Sequence, residues 1–273
     1  MKICLDAGHY GKYNRSPLVY AYYESVQMWK LHELLKKELE AYGVEVITTR
    51  ATQTKDLALE KRGKMAKGCD LFISLHSNAV GSKMNENVDY PLACCCVSGK
   101  ADAIGFKLVQ CVKNTMGTKQ AAQKINKKWG SVDYYGVLRG AAAVGVPGVL
   151  LEHSFHTNTK AANWLLNDNN LKRLAKAEAE VIAKHYGLKK PAPETTAQPE
   201  NAAFKPYCIK VICSSLNIRK TPKWGNPDVV GCIKKDGKKY TIVDECMLDS
   251  TKFGKLKSGV GWVSLGSKYV KKV

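Results

Sequence analysis

Short apolar runs alternate with longer amphipathic segments over the first 188 residues of the chain. Runs of four to seven largely apolar residues favour buried strands. Apolar residues spaced three and four apart, such as Met28, Leu31 and Leu35 in the segment that begins at Glu24, favour helices. Strands that alternate with helices predict an α/β fold in which a mostly parallel sheet carries helices on both faces. The predicted strands are 2–5, 44–48, 71–76, 92–97 and 146–152, and the predicted helices are 24–42, 57–67, 101–116, 159–166 and 171–182.

The pattern changes after residue 188. Residues 189–203 contain Pro191, Pro193 and Pro199 among Ala, Thr, Gln and Glu, a composition typical of an extended linker. From residue 204 onward, short β-rich runs are separated by turn sequences such as Lys-Asp-Gly, which predicts a small all-β barrel or sandwich. We therefore expect a first domain at 1–188, a linker at 189–203 and a second domain at 204–273.

The chain carries a formal net charge of +19, and the positive charge is densest in the second domain. Residues 204–273 hold 15 Lys and Arg against 5 Asp and Glu, whereas residues 1–188 hold 26 against 17. This favours a polyanionic partner such as nucleic acid, an anionic membrane surface or an acidic wall polymer, although a basic surface also serves solubility. The lysines match no nucleic-acid motif, so we expect no nucleic acid. No apolar run reaches the roughly 18 residues of a membrane span, so we expect no membrane insertion.

Ten cysteines are spread along the chain, and none has C-x-x-C spacing, which argues against a cysteine zinc site. The run Cys94–Cys96 lies in an apolar stretch, where cysteine acts as a small apolar residue. So many unpatterned cysteines indicate synthesis in a reducing cytosol. The acidic Asp6 comes too early for a secretory signal peptide, which supports the same expectation.

Polar residues stand at the carboxyl ends of three predicted strands, namely His9, His76 and Glu152, and Glu24 begins the helix that follows His9. The carboxyl ends of parallel strands meet at one edge of the sheet, where ligands bind, so these side chains can converge. Two imidazoles and one carboxylate form a catalytic zinc set that leaves a fourth position for water. A second carboxylate, away from the metal, would act as general base and then as acid for a departing amine.

Four motifs occur in the order found in one enzyme family. They are Asp6-Ala7-Gly8-His9, Glu24, the strand 72–78 (Phe-Ile-Ser-Leu-His-Ser-Asn) and the segment 147–158, which contains Glu152. With them, residues 1–187 resemble the zinc-dependent N-acetylmuramoyl-L-alanine amidases of the AmiC-like catalytic family. The signature of that family is D-x-G-H, a helix Glu, F-I-S-x-H-x-N and P-x-V-L-x-E-x-x-F-x-x-N. The pairs Thr49-Arg50 and Leu138-Arg139 also fall where the family has T-R and L-R.

The resemblance implies that His9, Glu24 and His76 bind one Zn²⁺ and that Glu152 is the catalytic carboxylate. The implied substrate is bacterial peptidoglycan, cleaved at the amide between the lactyl group of N-acetylmuramic acid and the L-alanine of the stem peptide. Glu33, further along the helix of Glu24, is the alternative metal carboxylate. Asp6 is placed either to orient a metal ligand from outside the metal shell or to form the turn.

Three more residues near these motifs are candidates for the site. Arg139 could bind a stem-peptide carboxylate or stabilise negative charge, and an ordinary structural ion pair is the alternative. His153 and His156 flank Glu152, and either could touch metal or substrate. Alternation along an extended segment points His153 away from Glu152. Of these residues, Arg139 and His153 are the predicted substrate-binding residues.

The second domain resembles a bacterial SH3-like wall-binding module through the segment 216–222, Gly231 and the segment 261–263. A catalytic domain, a linker and a wall-binding module together resemble a phage or prophage endolysin. That layout implies synthesis in the host bacterial cytoplasm, action on the wall after holin-dependent release or from outside, and binding to peptidoglycan and its anionic polymers.

Two other functions stay open. One is a wall-binding protein without activity, which the intact His9, Glu24, His76 and Glu152 argue against. The other is a zinc endopeptidase of the stem or cross-bridge peptide, which the lack of a peptidase zinc motif argues against. The sequence does not define an oligomeric state.

Overall fold

The apolar runs of the first 188 residues form strands, and most segments between them form helices. The computed structural model describes residues 1–190, 204–222, 224–248 and 251–273. Most of the predicted linker, residues 191–203, lies outside the described residues. The chain divides into two units, Met1–Pro193 and Glu194–Val273. The first unit contains β1 (Lys2–Ala7), α1 (Glu24–Glu40), β2 (Glu45–Thr48), α2 (Leu59–Lys64), β3 (Leu71–Asn78), β4 (Leu92–Cys95), α3 (Asp102–Met116), β5 (Gln123–Ile125), β6 (Lys128–Trp129), β7 (Val132–Asp133), α4 (Gly136–Ala143), β8 (Gly148–Phe155), α5 (Thr159–Leu166) and α6 (Asp168–His185).

Six strands of the first unit form one sheet in the order β2-β1-β3-β8-β4-β5. All neighbours are parallel except β4 and β8, which are antiparallel. The expected mostly parallel sheet is therefore confirmed. The register places His76 of β3 beside Glu152 of β8, so the two side chains point to the same face at the carboxyl ends of their strands.

Each face of the sheet is covered by helices. On one face, Leu31 of α1, Leu108 of α3 and Ile182 of α6 join the main hydrophobic core with alternate strand residues such as Leu75 and Leu151. On the other face, α2 and α4 pack over the strand residues of a smaller core that includes Cys4, Phe72, Cys94 and Leu150. The predicted arrangement of helices on both faces is confirmed, and His76 and Glu152 project on the side of α2 and α4.

The least predictable segment lies between α3 and β8. Residues 117–135 form β5, which extends the sheet next to β4, and the short hairpin β6–β7, before α4 begins at Gly136. The predicted helix 57–67 is shorter in the structure, where α2 spans Leu59–Lys64. Both differences arise where polar and Gly-rich sequence gives no clear hydrophobic period.

The cysteines of the first unit behave as small apolar residues. Cys94 and Cys95 are adjacent on β4, point to opposite faces and enter the two different cores. All ten cysteines are free thiols. Burial raises the pKa of the Cys94 thiol to about 12, so this side chain stays uncharged and unreactive near neutral pH.

The described part of the second unit consists of β-strands and one 3-10 turn, Asn226–Asp228. Its described strands form an antiparallel sheet in the order β11-β10-β14-β13-β12-β9-β15, with Ile242, Phe253 and Val263 completely buried. The all-β expectation is met, whereas the likeness to an SH3 module stays a prediction. None of the helices in the described parts of the chain is long and apolar enough to cross a membrane. The strands are β9 (Tyr207–Val211), β10 (Ser215–Arg219), β11 (Val229–Lys234), β12 (Tyr240–Leu248), β13 (Thr251–Leu256), β14 (Trp262–Ser264) and β15 (Val270–Lys272).

Helices α2 and α4 approach so closely that only glycine fits at their contact. A Cβ on Gly140 would lie 2.1 Å from the carbonyl oxygen of Glu60, and one on Gly63 would lie 2.0 Å from that of Val137. Both contacts are with backbone atoms, which cannot rotate away. The close packing therefore fixes α4, and with it the segment that leads into β8.

We predict that Gly140→Ala destabilises the first unit although alanine is the better helix former by about 1 kcal/mol. The clash with Glu60 forces the helices apart, at a cost of about 1–3 kcal/mol. Urea unfolding of the full chain measures the change. Ala142→Ser, at an exposed position of the same helix, is the matched control and should stay within about 0.5 kcal/mol of the parent. Equal stability of G140A and the parent would contradict this packing.

Candidate active site

Two histidines and one glutamate meet at the carboxyl edge of the sheet. His9 follows β1, His76 lies near the end of β3, and Glu24 is the first residue of α1. Nδ1 of His76 is 2.9 Å from Oε1 of Glu24, and Nε2 of His9 is 3.3 Å from Oε2 of the same carboxylate. One potential ligand atom from each of the three residues lies within 4.8 Å of the others. The structure thus brings together the three metal ligands expected from sequence.

The backbone of the D-x-G-H motif is shaped for this meeting. The Gly8 N–H donates to the carbonyl of Leu75 at 2.8 Å, which holds the end of β1 against β3. A Cβ on Gly8 would lie 2.6 Å from Nδ1 and Cε1 of His76. The next residue, His9, has φ of 55°, a left-handed conformation that turns its ring back toward His76. Glycine therefore leaves the space in which the His76 ring lies.

Glu24 is held as an anion. Its side chain is 2% exposed, and burial alone would raise its pKa, but the nearby imidazoles of His76 and His9 outweigh burial and hold the pKa below the usual range. The Ser77 N–H donates to Oε1 at 3.1 Å and the Asn14 amide donates to Oε2 at 2.7 Å. Glu33, the alternative carboxylate, is exposed, and its Oε1 lies 3.1 Å from Nδ1 of His32 rather than in the cluster.

The hydrogen bonds of His76 define which ring nitrogen carries the proton. The Ser74 hydroxyl donates its only proton to Oδ2 of Asp6 at 2.6 Å, so it can only accept from Nε2 of His76, 3.1 Å away. Nδ1 therefore presents a lone pair to Oε1 of Glu24. Two electron-rich atoms 2.9 Å apart need a cation or a proton between them. A metal ion bound to both atoms would satisfy them, and two imidazoles with one carboxylate are a donor set suited to such an ion.

Asp6 anchors this arrangement from below. Its buried carboxylate accepts from Arg62 Nε at 2.8 Å and Nη2 at 2.7 Å, from Ser74 and from the Thr49 hydroxyl at 2.5 Å. Burial alone would raise the pKa of Asp6, but the charge of Arg62 and these hydrogen bonds hold it below the usual range. Of the two roles left open by the sequence, the contacts favour an outer partner that orients His76 through Ser74.

Glu152 lies beside the histidine and glutamate cluster without a partner of its own. Its Oε2 is buried and has no hydrogen-bond partner among the described residues. Burial raises the pKa of Glu152 well above its usual range, and the negative charge of Glu24 raises it further. An unpartnered buried carboxyl oxygen is unusual in a folded protein and indicates a ligand or a catalytic role.

The structure corrects the expectation for His153. Its side chain is completely buried on the opposite face of the sheet from Glu152, as the alternation of β8 requires. Nδ1 donates to the carbonyl of His76 at 2.9 Å, and Nε2 is 2.8 Å from Oε1 of Glu178 on α6. With both ring nitrogens engaged inside the core, His153 cannot contact substrate or metal. His156 is also buried, and its Nδ1 donates to the carbonyl of Ser77 at 2.9 Å.

Arg139 takes the structural alternative. Its Nε donates to Glu60 at 2.9 Å, and Nη1 donates to the carbonyls of Asp133 and Tyr134 at 3.0 and 2.7 Å. Its guanidinium also packs over the Trp129 ring. These contacts tie α4 to α2 and to the β6–β7 hairpin. The structure therefore does not support the expected role of Arg139 in binding substrate.

Sequence reasoning missed Asn14, which contacts two of the metal-site residues. Its Nδ2 lies 3.0 Å from Nε2 of His9 as well as 2.7 Å from Glu24. Asn14 has φ of 52°, a conformation that asparagine tolerates better than most residues. Its place in a loop without a hydrophobic period gave no signal beyond that preference.

Comparison with known proteins identifies the family of the first unit. Residues 3–184 match the family model of N-acetylmuramoyl-L-alanine amidases, and since this is well over half of the chain, the chain belongs to the N-acetylmuramoyl-L-alanine amidase family. A sporulation-specific N-acetylmuramoyl-L-alanine amidase of Bacillus subtilis (strain 168) is 26% identical over 188 residues, which are 68% of this chain and 66% of that protein. The predicted family is thereby confirmed, and the aligned residues span just under two thirds of that relative's length.

Solved structures show the same fold. The catalytic domain of CwlV, an amidase of Bacillus (Paenibacillus) polymyxa var. colistinus, superposes with a TM-score of 0.59 at 20% identity, over 69% of this chain and 99% of that one. AmiC2 of Nostoc punctiforme gives a TM-score of 0.58 at 18% identity, over 68% and 97%. At these identities the likeness concerns the fold of the first unit.

We predict that Glu24→Gln removes the metal site while Glu33→Gln leaves it intact. Loss of a direct ligand should weaken zinc affinity by more than the roughly 10–100-fold typical of an outer partner. Titration of each purified variant against a chromophoric chelator measures the affinity without any assay of activity. If E33Q lost zinc and E24Q retained it, Glu33 rather than Glu24 would be the metal carboxylate, and the prediction would be wrong.

We predict that Asp6→Asn destabilises the first unit by about 3–5 kcal/mol at neutral pH, because it leaves the buried Arg62 charge uncompensated. The native pKa of Asp6 lies below its unfolded value of about 3.9, so this stabilisation is complete above about pH 5 and is lost as the pH falls toward the native pKa. The difference in free energy of unfolding between D6N and the parent should therefore become smaller as the pH falls from about 5 to about 3.

Urea unfolding at several pH values measures that gap. Asp168→Asn is the control, since Asp168 forms an exposed ion pair with Lys30 and should contribute less than about 1 kcal/mol. A gap that stays constant with pH would show that the charge of Asp6 is not what stabilises the fold.

Proposed function

We propose that the chain is a zinc-dependent amidase that hydrolyses the bond between N-acetylmuramic acid and the L-alanine of the peptidoglycan stem peptide. The observation that carries the proposal is the cluster of His9, Glu24 and His76 with the unpartnered Glu152 beside it. Two imidazoles and one carboxylate are the donor set of catalytic zinc sites. The lone pair of His76 Nδ1 that faces Glu24 fits a cation at that position.

The residues around the cluster have separable tasks in this proposal. A zinc ion held by His9, Glu24 and His76 would polarise the substrate carbonyl and lower the pKa of a water molecule. Glu152 takes a proton from the attacking water as the oxygen of that water bonds to the carbonyl carbon. The same carboxyl then gives that proton to the amine nitrogen as the carbon–nitrogen bond breaks. Burial suits Glu152 to holding a proton between the two steps.

Ser74 and Asp6 support the chemistry without touching the substrate. Because Ser74 accepts from Nε2 of His76, the ring keeps its Nδ1 lone pair aimed at the metal position. Because Asp6 is fixed by Arg62, Ser74 is in turn held in place. Such outer partners keep metal ligands oriented and raise their basicity.

We further propose that the second unit directs the enzyme to the bacterial wall, in the manner of a phage or prophage endolysin. Its support is the all-β fold and the 15 Lys and Arg against 5 Asp and Glu in residues 204–273, which suit anionic wall polymers. In this proposal the protein is made in a bacterial cytoplasm and reaches the wall after holin-dependent release or from outside.

We predict that Glu152→Gln lowers amide cleavage by about 10²–10⁴-fold, the usual contribution of a general base and acid, while zinc content is unchanged. The assay is digestion of purified walls with and without chelator, followed by analysis of the new ends. The parent should release free N-terminal L-alanine without new reducing sugar, and chelator should stop it. Glu180→Gln, at an exposed position of α6, is the matched control and should keep full activity.

The same digestion separates the other two functions. New termini within the stem or cross-bridge peptide would show an endopeptidase, and unchanged walls that nevertheless retain the protein would show a wall-binding protein without activity. E152Q should still sediment with walls at low salt and be released as salt rises, because screening weakens binding to an anionic polymer. Full amidase activity of E152Q would remove Glu152 from the proton-transfer role.

A further inference from the structure

A cleft of about 390 Å³ opens near the cluster of His9, Glu24 and His76. The loop that follows His9 forms one wall, and residues 79–82 and 156–157 form the other. Asn14 lines the cleft and also contacts His9 and Glu24 with its amide, so the cleft adjoins the proposed metal position. This volume is within the roughly 300–1,000 Å³ of ligand pockets.

Arg15 is the charged residue of this cleft, and its backbone is fixed. Arg15 pairs with Tyr23 in an isolated antiparallel bridge. On either side, the Glu24 N–H donates to the carbonyl of Asn14 at 3.0 Å and the Ser16 N–H donates to that of Tyr22 at 3.1 Å. The loop is thereby fastened to the start of α1, so Arg15 keeps a constant position relative to Glu24.

The guanidinium of Arg15 is held but not neutralised. It packs over the rings of Tyr20 and Tyr23, at 4.7 and 5.7 Å, and its Nε donates to the carbonyl of Tyr20 at 3.0 Å. Among the described residues that line the cleft none is acidic, and Arg15 forms no ion pair within the described parts of the chain. A planar guanidinium fixed through Nε keeps its two Nη groups available for a carboxylate.

Arg139, which the sequence suggested as a substrate-binding residue, contacts Glu60 and two backbone carbonyls instead. The two arginines differ in how many of their N–H donors are free. Neither Nη group of Arg15 has a hydrogen-bond partner among the described residues, whereas Nε and Nη1 of Arg139 join α4 to its neighbours.

We propose that Arg15 binds a carboxylate on the peptide side of the scissile amide and so selects stem peptides whose carboxylate is free rather than amidated. This inference rests on the proposed amidase function. The peptide released by the reaction carries carboxylates, and the cleft of Arg15 lies beside the metal cluster at which its amide would be cut. Tyr20, whose ring is exposed, and the Asn14 amide complete the wall along which the peptide lies.

The test compares a muramoyl-peptide substrate whose peptide carboxylates are all free with a set of substrates in each of which one carboxylate is converted to a carboxamide. In Arg15→Gln the KM for the free-carboxylate substrate should rise about 10- to 100-fold, the value of a hydrogen-bonded charge pair. Its kcat should stay within about threefold, because Arg15 does not touch the reacting atoms. For the substrate whose recognised carboxylate is amidated, R15Q and the parent should be equal.

Arg173→Gln is the matched control, because Arg173 also packs over an aromatic ring, that of Trp164, but lies on α6. It should leave both KM values unchanged. Zinc content measured for every variant confirms that the metal site is intact. An equal loss of R15Q on both substrates would show that Arg15 only holds the loop, and unchanged kinetics on both would show that it does not meet the substrate.

Failure of the proposed function would be visible first in the parent protein, which would then release no N-terminal alanine from either substrate. The inference on Arg15 is still decided by binding. The E152Q protein should bind the free-carboxylate substrate more tightly than the amidated one in calorimetry, and the preference should vanish in the E152Q/R15Q double variant. Retention of the preference without Arg15 would overturn the inference.

Discussion

The buried carboxylate of Asp6 is the interaction on which the rest of the first unit depends. It lies on the first strand, yet its four hydrogen bonds reach Thr49 after the second strand, Arg62 on a helix and Ser74 on the third strand. A buried charge is tolerated only when it is fully paired and hydrogen-bonded. The segments that meet at Asp6 are therefore held in one relative position, and the proposed metal centre is built on top of that junction.

The sequence predicted the parts of the site that follow from strand geometry. Alternating apolar runs and helical patterns are sufficient to place His9, His76 and Glu152 at one edge, because parallel strands share a direction. The burial of His153 follows from the same alternation, and the structure bears out that alternation rather than the role in substrate binding. The direction of a side chain that belongs to a strand or helix could be derived from residue spacing alone.

The parts that sequence did not predict lie in loops and in long-range pairs. Asn14 reaches the cluster through a left-handed turn, and Arg139 is satisfied by Glu60, 79 residues away. Neither a loop conformation nor a distant partner leaves a periodic trace in the sequence. The sequence likewise does not show that the Arg15 guanidinium is free to bind an anion, because this depends on there being no acidic side chain near it in the folded chain.

The pair of His153 and Glu178 has a consequence for where this catalytic unit can be separated from the rest of the chain. His153 is bonded on one side to the carbonyl of His76 and on the other contacts the last helix of the unit, both inside the core. The strand that carries a proposed metal ligand is thus braced by a helix that ends only at His185. A chimera that joins this enzyme to a different targeting module must therefore place its junction after that helix, even though the chemistry is complete thirty-odd residues earlier in the sequence, at Glu152.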